Sequence, residues 1–182
     1  MGEYERRLPH WDAVGHPVFV TFRLHGSLPV KRVFPPERQT NAGKAFVAMD
    51  RLLDRATSGP LFLGIPEIAC MVARAIRAGE RQSHRYELHA YVVMPNHVHM
   101  LVTPLVNSTC WLGPLKGFTS HEANVFLHRS GAHFWQDESY DHLVRSAEEF
   151  DRVRRYIEMN PVKAGLIAVA ELFPWSSAGI AG

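Results

Sequence analysis

Two histidines interrupt an apolar run in the stretch YVVMPNHVHMLV, which covers residues 91–102. Alternate residues of a β-strand project to the same face of its sheet, so a strand here would place His97 and His99 side by side. Two neighbouring imidazoles can bind one divalent cation, because neutral histidine is a common metal ligand. The alternative is a pair of core histidines whose nitrogens are satisfied by hydrogen bonds. The pair alone leaves both interpretations open. If the two histidines bind a cation, we do not expect them to anchor the core.

A catalytic metal needs a third protein ligand, and the helix predicted over residues 146–159 offers one. Ser146 followed by Glu149 three residues later predicts a capped start for this helix. Tyr156 and Asn160 are one helical turn apart, at the edge of the apolar stripe. Asn160 could supply an amide oxygen to a cation, and Tyr156 a nucleophilic oxygen. The alternatives are a tyrosine with its hydroxyl in water and an asparagine that ends the helix before a proline.

The elements that must position these residues follow from hydrophobic periodicity and turn residues. Strands are predicted over residues 17–25, 85–94 and 97–103, and helices over 37–57, from Pro66 onward, over 111–129 and over 146–159. This order is close to a ferredoxin-like β-α-β-β-α core within an α+β protein. The core needs a fourth strand, which we place in residues 165–170 or 132–136.

The composition is typical of one globular domain. The 182 residues are 46% hydrophobic and 21% charged, with a formal net charge of +2. No apolar stretch is long enough to span a bilayer, and the start MGEYERRLPHW lacks the layout of a signal peptide, so we expect a cytoplasmic protein without a membrane. Two cysteines make neither a disulfide framework nor a metal motif.

Several blocks of the sequence together resemble one family. YVVMPNHVHMLV, FWQDESYDHLVR, YIEMNPVKAGL and FPWSS follow one another in this order, and HPVFVTFRL precedes them. They resemble the REP-associated tyrosine transposases, which are relatives of the single-tyrosine HUH transposases of insertion sequences. The His-hydrophobic-His motif falls on residues 97–99 and the Tyr-Ile-x-x-Asn-Pro motif on residues 156–161. The matching blocks run from about residue 16 to residue 177, but residues 26–38 and 104–109 match nothing that we can name.

The resemblance implies a fold and an activity. The fold is a ferredoxin-like palm of the HUH endonuclease type, an antiparallel sheet with helices packed on it. We expect residues 1–182 to form a single domain, with 1–16 as an N-terminal arm and 166–182 as a C-terminal extension. The expected enzyme cleaves and rejoins single-stranded DNA near hairpins of REP-like palindromes, using Mg²⁺ or Mn²⁺.

The resemblance also implies residue roles. His97, His99 and Asn160 bind the cation, and Tyr156 attacks phosphorus to form a 5′-phosphotyrosine. Tyr140, in FWQDESYDHLVR, is the competing nucleophile; Tyr156 is preferred because a regular helix holds it one turn from a metal ligand.

Basic residues near these motifs are candidates for DNA binding. They are Lys116, Arg152, Arg155 and Lys163, and a solvated surface is the alternative for them. Two other functions stay open: a nucleic-acid-binding protein that keeps the fold without the chemistry, and a metal-dependent nuclease that uses water. We expect a monomer or a homodimer.

Overall fold

A four-stranded antiparallel sheet forms the centre of the molecule. The computed structural model describes residues 13–27, 53 and 59–179. Its strands are β1 (Val18–Arg23), β2 (Tyr86–Val93), β3 (His97–Pro104) and β4 (Tyr140–Leu143), in the spatial order β2-β3-β1-β4. The α+β class and the antiparallel sheet are therefore confirmed, and the strand order is that of a ferredoxin-like fold.

Helices cover both faces of this sheet. α1 (Pro66–Arg81) and α2 (Ser108–Phe126) pack on one face. α3 (Ala147–Glu158) packs on the other face and is followed directly by the short α4 (Asn160–Lys163). Two 3₁₀ turns, Phe62–Gly64 and Ala170–Leu172, complete the described elements. The helix predicted over residues 37–57 lies outside the described residues, apart from Leu53. None of the helices in the described part is both long and apolar enough to span a membrane.

The two faces of β1 enter two separate hydrophobic cores. Val18, Val20 and Phe22 point toward α1 and α2. Phe19 points toward α3, together with Ile157 of that helix. Because alternate residues of β1 meet hydrophobic side chains on both faces, helices can cover the sheet on both sides.

The fourth strand lies where the sequence did not place it. β4 pairs with the outer edge of β1 over residues 140–143, so the expectation of a strand in residues 165–170 or 132–136 was wrong. The second of these segments makes a single bridge, between Trp135 and Leu24. All four residues of β4 are only partly buried, and such a short half-buried strand has no strong hydrophobic pattern.

The predicted cap of α3 is present in a modified form. The hydroxyl of Ser146 accepts a hydrogen bond from the backbone N–H of Glu149 at 3.1 Å. The Glu149 carboxylate bonds the backbone N–H of Arg145 at 2.8 Å, one residue before the position expected in a capping box. At the other end, Pro161 has no N–H to donate to the carbonyl of Ile157, so α3 stops there. The chain then re-enters a helical turn at Asn160.

The segment after the last 3₁₀ turn pairs with the free edge of β2. The backbone N–H of Val93 donates to the carbonyl of Trp175, and that of Ser177 donates to the carbonyl of Tyr91, both at 2.9 Å. The predicted C-terminal extension therefore adds a short stretch to the sheet and covers its edge.

Candidate active site

The histidine pair is buried on the face of the sheet that α3 covers. His97 and His99 are both 0% exposed, and their Nε2 atoms lie 3.1 Å apart. The other nitrogen of each ring has its own partner: His97 Nδ1 lies 2.6 Å from Asn96 Oδ1, and His99 Nδ1 lies 2.7 Å from Thr21 Oγ1. The expectation that neither histidine anchors the core is not met, because both are fully enclosed and hydrogen-bonded.

Asn96 determines which nitrogen of His97 carries hydrogen. The Nδ2 group of Asn96 donates to the carbonyl of Leu53 at 2.9 Å, which fixes the orientation of the amide. Its Oδ1 can only accept, so Nδ1 of His97 must be the donor. In the neutral imidazole, Nε2 of His97 then keeps its lone pair, which is the form that binds metals.

The spacing of the two Nε2 atoms suits a shared cation. Two nitrogens that bind one ion at about 2.1 Å and at right angles lie about 3 Å apart. The observed 3.1 Å matches this value. The described residues contain no group of three or more His, Cys, Asp or Glu side chains that could hold a metal ion.

Tyr156 stands beside the histidine pair. The centroid of its ring is 5.8 Å from that of His99. Phe19 contacts both, with ring centroids 5.4 Å from His99 and 6.2 Å from Tyr156. On the other side, the ammonium of Lys163 lies 4.6 Å from the centre of the Tyr156 ring. The phenol is thus held between an apolar ring and a positive charge, next to the imidazoles.

Asn160 is buried at the start of α4, with 1% of its surface exposed. It lies one turn after Tyr156, so the same length of chain carries the phenol and the amide. The cation role of Asn160 stays a prediction.

Tyr140 shares this sheet face but has a different environment. It contacts Phe19 with ring centroids 6.4 Å apart. Burial raises the pKa of the Tyr140 phenol, and the negative charges of Asp141 and Glu149 raise it further. Its neighbour His142 binds Glu149 at 2.8 Å. These surroundings oppose ionisation of Tyr140, and the neighbouring His142 is engaged by a carboxylate.

The basic residues predicted to bind DNA divide into two groups. Arg152, Arg155 and Lys163 are exposed on α3 and α4, on the side of the sheet that carries Tyr156. Lys116 lies on α2, across the sheet. Its ammonium donates to the carbonyls of Gln136 at 2.7 Å and Asp137 at 3.0 Å. The structure therefore brings three of the four residues near the tyrosine and gives the fourth a contact within the protein.

Three polar residues of the site were missed in the sequence. Thr21 and Asn96 orient the imidazoles, and Arg23 is the register partner of His97. Thr21 and Arg23 lie on the more polar face of a strand whose other face is apolar, which was the available signal. Asn96 directly precedes the first histidine.

Comparison with known proteins bears on this geometry. The family model described as IS200-like transposase matches residues 72–160, which contain both histidines, Tyr156 and Asn160. Over these residues, a little less than half of its length, the chain is similar to the IS200-like transposases. The REP-associated tyrosine transposase of Escherichia coli (strain K12) is 28% identical over 102 residues. That match covers 53% of this chain and 57% of the relative, so it spans little more than half of that protein.

A solved structure has a fold similar to that of this chain. It is described as a REP-associated tyrosine transposase bound to a REP hairpin, and it is 20% identical with a TM-score of 0.50. The match covers 97% of this chain and 82% of that one. At this identity the likeness concerns the fold, and it agrees with the antiparallel sheet and its helices.

Proposed function

We propose that this chain is a metal-dependent transposase that cleaves and rejoins single-stranded DNA through a 5′-phosphotyrosine. The observation that carries the proposal is the placement of Tyr156 beside His99, with ring centroids 5.8 Å apart on one face of the sheet. The family match over residues 72–160 supports the same activity.

The chemical step transfers a phosphoryl group between two oxygens. The phenolic oxygen of Tyr156 bonds to phosphorus, and the bond from phosphorus to the 3′ oxygen breaks. The phenol loses its proton, and the departing 3′ oxygen becomes a hydroxyl after taking up a proton. The ester stores the energy of the broken bond, so a 3′ hydroxyl can reverse the step and rejoin strands.

The side chains of the chain supply position and charge. A divalent cation, Mg²⁺ or Mn²⁺, would be held by His97, His99 and Asn160 and would neutralise charge on the scissile phosphate. Asn96 and Thr21 keep the imidazoles oriented toward each other. α3 holds the phenol in place, which matters because a misplacement of about 1 Å can lower a rate ~100-fold.

The proposed substrate is single-stranded DNA that carries a hairpin of a REP-like palindrome. The solved relative is described as bound to a REP hairpin, and a net charge of only +2 favours a local contact over a broad duplex-binding face. Arg152, Arg155 and Lys163 would bind phosphates near the tyrosine, whereas Lys116 would do so only from the other side of the sheet.

The decisive experiment looks for the covalent product. The protein is incubated with Mn²⁺ or Mg²⁺ and with labelled single-stranded hairpins taken from the flanks of its gene, then separated under denaturing conditions. We expect a protein–DNA adduct that requires metal, and we expect its nucleotide on Tyr156 by peptide mass spectrometry. Tyr156→Phe should lose at least ~1000-fold in cleavage while hairpin binding persists.

Tyr140→Phe is the matched control, because it also removes a single hydroxyl next to Phe19. It should still form the adduct. A labelled peptide containing residue 140 would overturn the choice of nucleophile. Cleavage without an adduct would indicate a nuclease that uses water, and binding without cleavage would indicate a nucleic-acid-binding protein.

A further inference from the structure

Arg23 occupies the position on β1 directly opposite His97. The two residues are register partners in the antiparallel pairing of β1 and β3. Thr21, two residues earlier, points to the α3 face because it bonds His99, so strand alternation sends Arg23 to that same face. Directly opposite side chains on one face start about 4.5–5.5 Å apart. The arginine therefore emerges beside the histidine pair.

The charge of Arg23 is incompletely compensated within the described part of the protein. Its guanidinium has five N–H donors, and among the described residues its side chain makes one hydrogen bond, to Ser27 Oγ at 3.2 Å. Burial lowers the pKa of Arg23, and the negative charge of Glu138 partly offsets this effect. A half-buried cation with so few partners is costly unless something else satisfies it.

The neighbouring arginines differ in this respect. Arg152 and Arg155 are exposed on α3. Arg154 is also exposed, and it pairs with Glu158 one turn away at 3.3 Å. Arg23 instead combines partial burial, few hydrogen bonds and a place next to His97. Ser27 is itself 4% exposed, so the contact that orients the guanidinium is a fixed one.

We propose that Arg23 donates hydrogen bonds to a phosphate of bound single-stranded DNA, within one nucleotide of the phosphate that Tyr156 attacks. The inference rests on the proposed function, since that function places the scissile phosphate at the histidine pair. The planar guanidinium suits two oxygens of one phosphate at once. Arg23 is thus a phosphate-binding residue on the floor of the site, in contrast to the exposed arginines of α3.

The test measures binding apart from chemistry. Arg23→Gln, Arg23→Lys and, as control, Arg154→Gln are made in the Tyr156→Phe background, so that no adduct forms. Fluorescence anisotropy gives the affinity for a labelled hairpin with single-stranded flanks over a range of salt concentrations. Arg23→Gln should weaken binding ~10- to 100-fold, the size of a charged hydrogen bond. It should also reduce the slope of log K against log salt by about 0.7, the value for one phosphate contact on a single strand.

Single methylphosphonate substitutions then locate the contact. With Arg23 present, a neutral linkage next to the scissile position should weaken binding; with Arg23→Gln the same linkage should cost nothing further. Arg23→Lys should keep the salt slope and lose part of the affinity, because it keeps the charge without the fork. Arg154→Gln should leave every value unchanged. Thermal melts check that each variant is folded, and the Arg23→Lys result carries the test if Arg23→Gln melts early.

The outcomes separate this inference from the proposed function. In one outcome, wild-type protein forms the adduct, and Arg23→Gln and Arg23→Lys show the same affinities as Arg154→Gln for DNA with each methylphosphonate linkage. The Arg23 contact is then absent and the proposed function stands. If no adduct forms but the penalty at one linkage disappears in Arg23→Gln, the contact stands and the chemistry is wrong. If the protein binds no single-stranded DNA, both are overturned.

Discussion

Thr21→Val removes the hydroxyl that bonds Nδ1 of His99 and keeps the shape of the side chain. His97 carries its hydrogen on Nδ1, because Asn96 Oδ1 accepts it. Nε2 of His97 therefore carries no hydrogen and can only accept. In the neutral pair, the 3.1 Å contact between the two Nε2 atoms is then a hydrogen bond that Nε2 of His99 donates. Nδ1 of His99 therefore accepts from the Thr21 hydroxyl.

Cation binding requires the opposite tautomer of His99. Both Nε2 atoms must then present lone pairs, so the hydrogen of His99 moves to Nδ1 and donates to Thr21 Oγ1. A hydroxyl can serve as donor in one state and acceptor in the other, whereas valine can do neither. We expect Thr21→Val to weaken Mn²⁺ binding about 10- to 100-fold, the usual effect of losing a residue that orients a ligand.

The same change should also lower stability, because His99 is 0% exposed and Nδ1 loses its partner. An unsatisfied buried group costs about 1–3 kcal/mol. Thr119→Val is the matched control: Thr119 is 0% exposed, donates to the carbonyl of Leu115 at 2.7 Å and accepts from Trp135 Nε1 at 2.9 Å. It should lose similar stability without affecting the cation.

Titration calorimetry measures the affinity for Mn²⁺, and urea unfolding measures the stability. ¹⁵N NMR of labelled histidine reports the tautomers directly. We expect His99 alone to change tautomer when Mg²⁺ is added. Equal Mn²⁺ affinities for the two valine variants would refute the reasoning, as would an ¹⁵N spectrum in which His97 carries its hydrogen on Nε2.

Two further predictions concern stability. Hydrogen bonds from the backbone of Arg145 and from His142 hold the pKa of Glu149 below its usual value of 4.5. A carboxyl whose pKa is lowered by folding stabilises the folded protein at pH values above its unfolded pKa. This stabilisation is lost as the pH falls through the lowered pKa. Glu149→Gln should therefore unfold at lower urea than wild type at pH 7, with a difference that shrinks in acid; a difference independent of pH would contradict this. Gly79→Ala should destabilise by about 1–3 kcal/mol, because a Cβ there would overlap the ring of Tyr86. Gly113→Ala, with open space around it, should hold or raise stability by up to ~1 kcal/mol, and a similar loss for both would rule out the packing explanation.

Local patterns were sufficient for the elements that carry the proposed chemistry. Hydrophobic periodicity predicted the strand that holds Phe19, and the bulky apolar residues around the histidines predicted theirs. The Ser146 cap predicted the helix that holds Tyr156. These features depend on residues within a few positions of one another, so the sequence displays them directly. β4 escaped this reasoning because four half-buried residues have too little pattern to separate a strand from a loop.

Contacts between distant segments were beyond the sequence. Thr21 and His99 are 78 positions apart and meet because β1 and β3 pair in one register. The same pairing places Arg23 opposite His97. Lys116 was assigned to DNA from its charge, whereas its bonds to two carbonyls depend on where the segment after Trp135 runs. In each case the tertiary fold determines which residue is the partner, and residues nearby in the sequence do not indicate it.

The pairing register of β1 with its neighbours is determined by apolar side chains on the face of the sheet that carries no candidate catalytic residue. Val18, Val20 and Phe22 are buried against α1 and α2, and each such side chain contributes about 1.5–3 kcal/mol when enclosed. A slip of one residue would turn all three toward α3 and bring Thr21 and Arg23 into the apolar core. The hydroxyl and the guanidinium would then lie among apolar side chains without their partners, which costs each of them at least about 1–3 kcal/mol. The apolar core on one face of the sheet therefore determines that a hydroxyl and a guanidinium meet the histidines on the other.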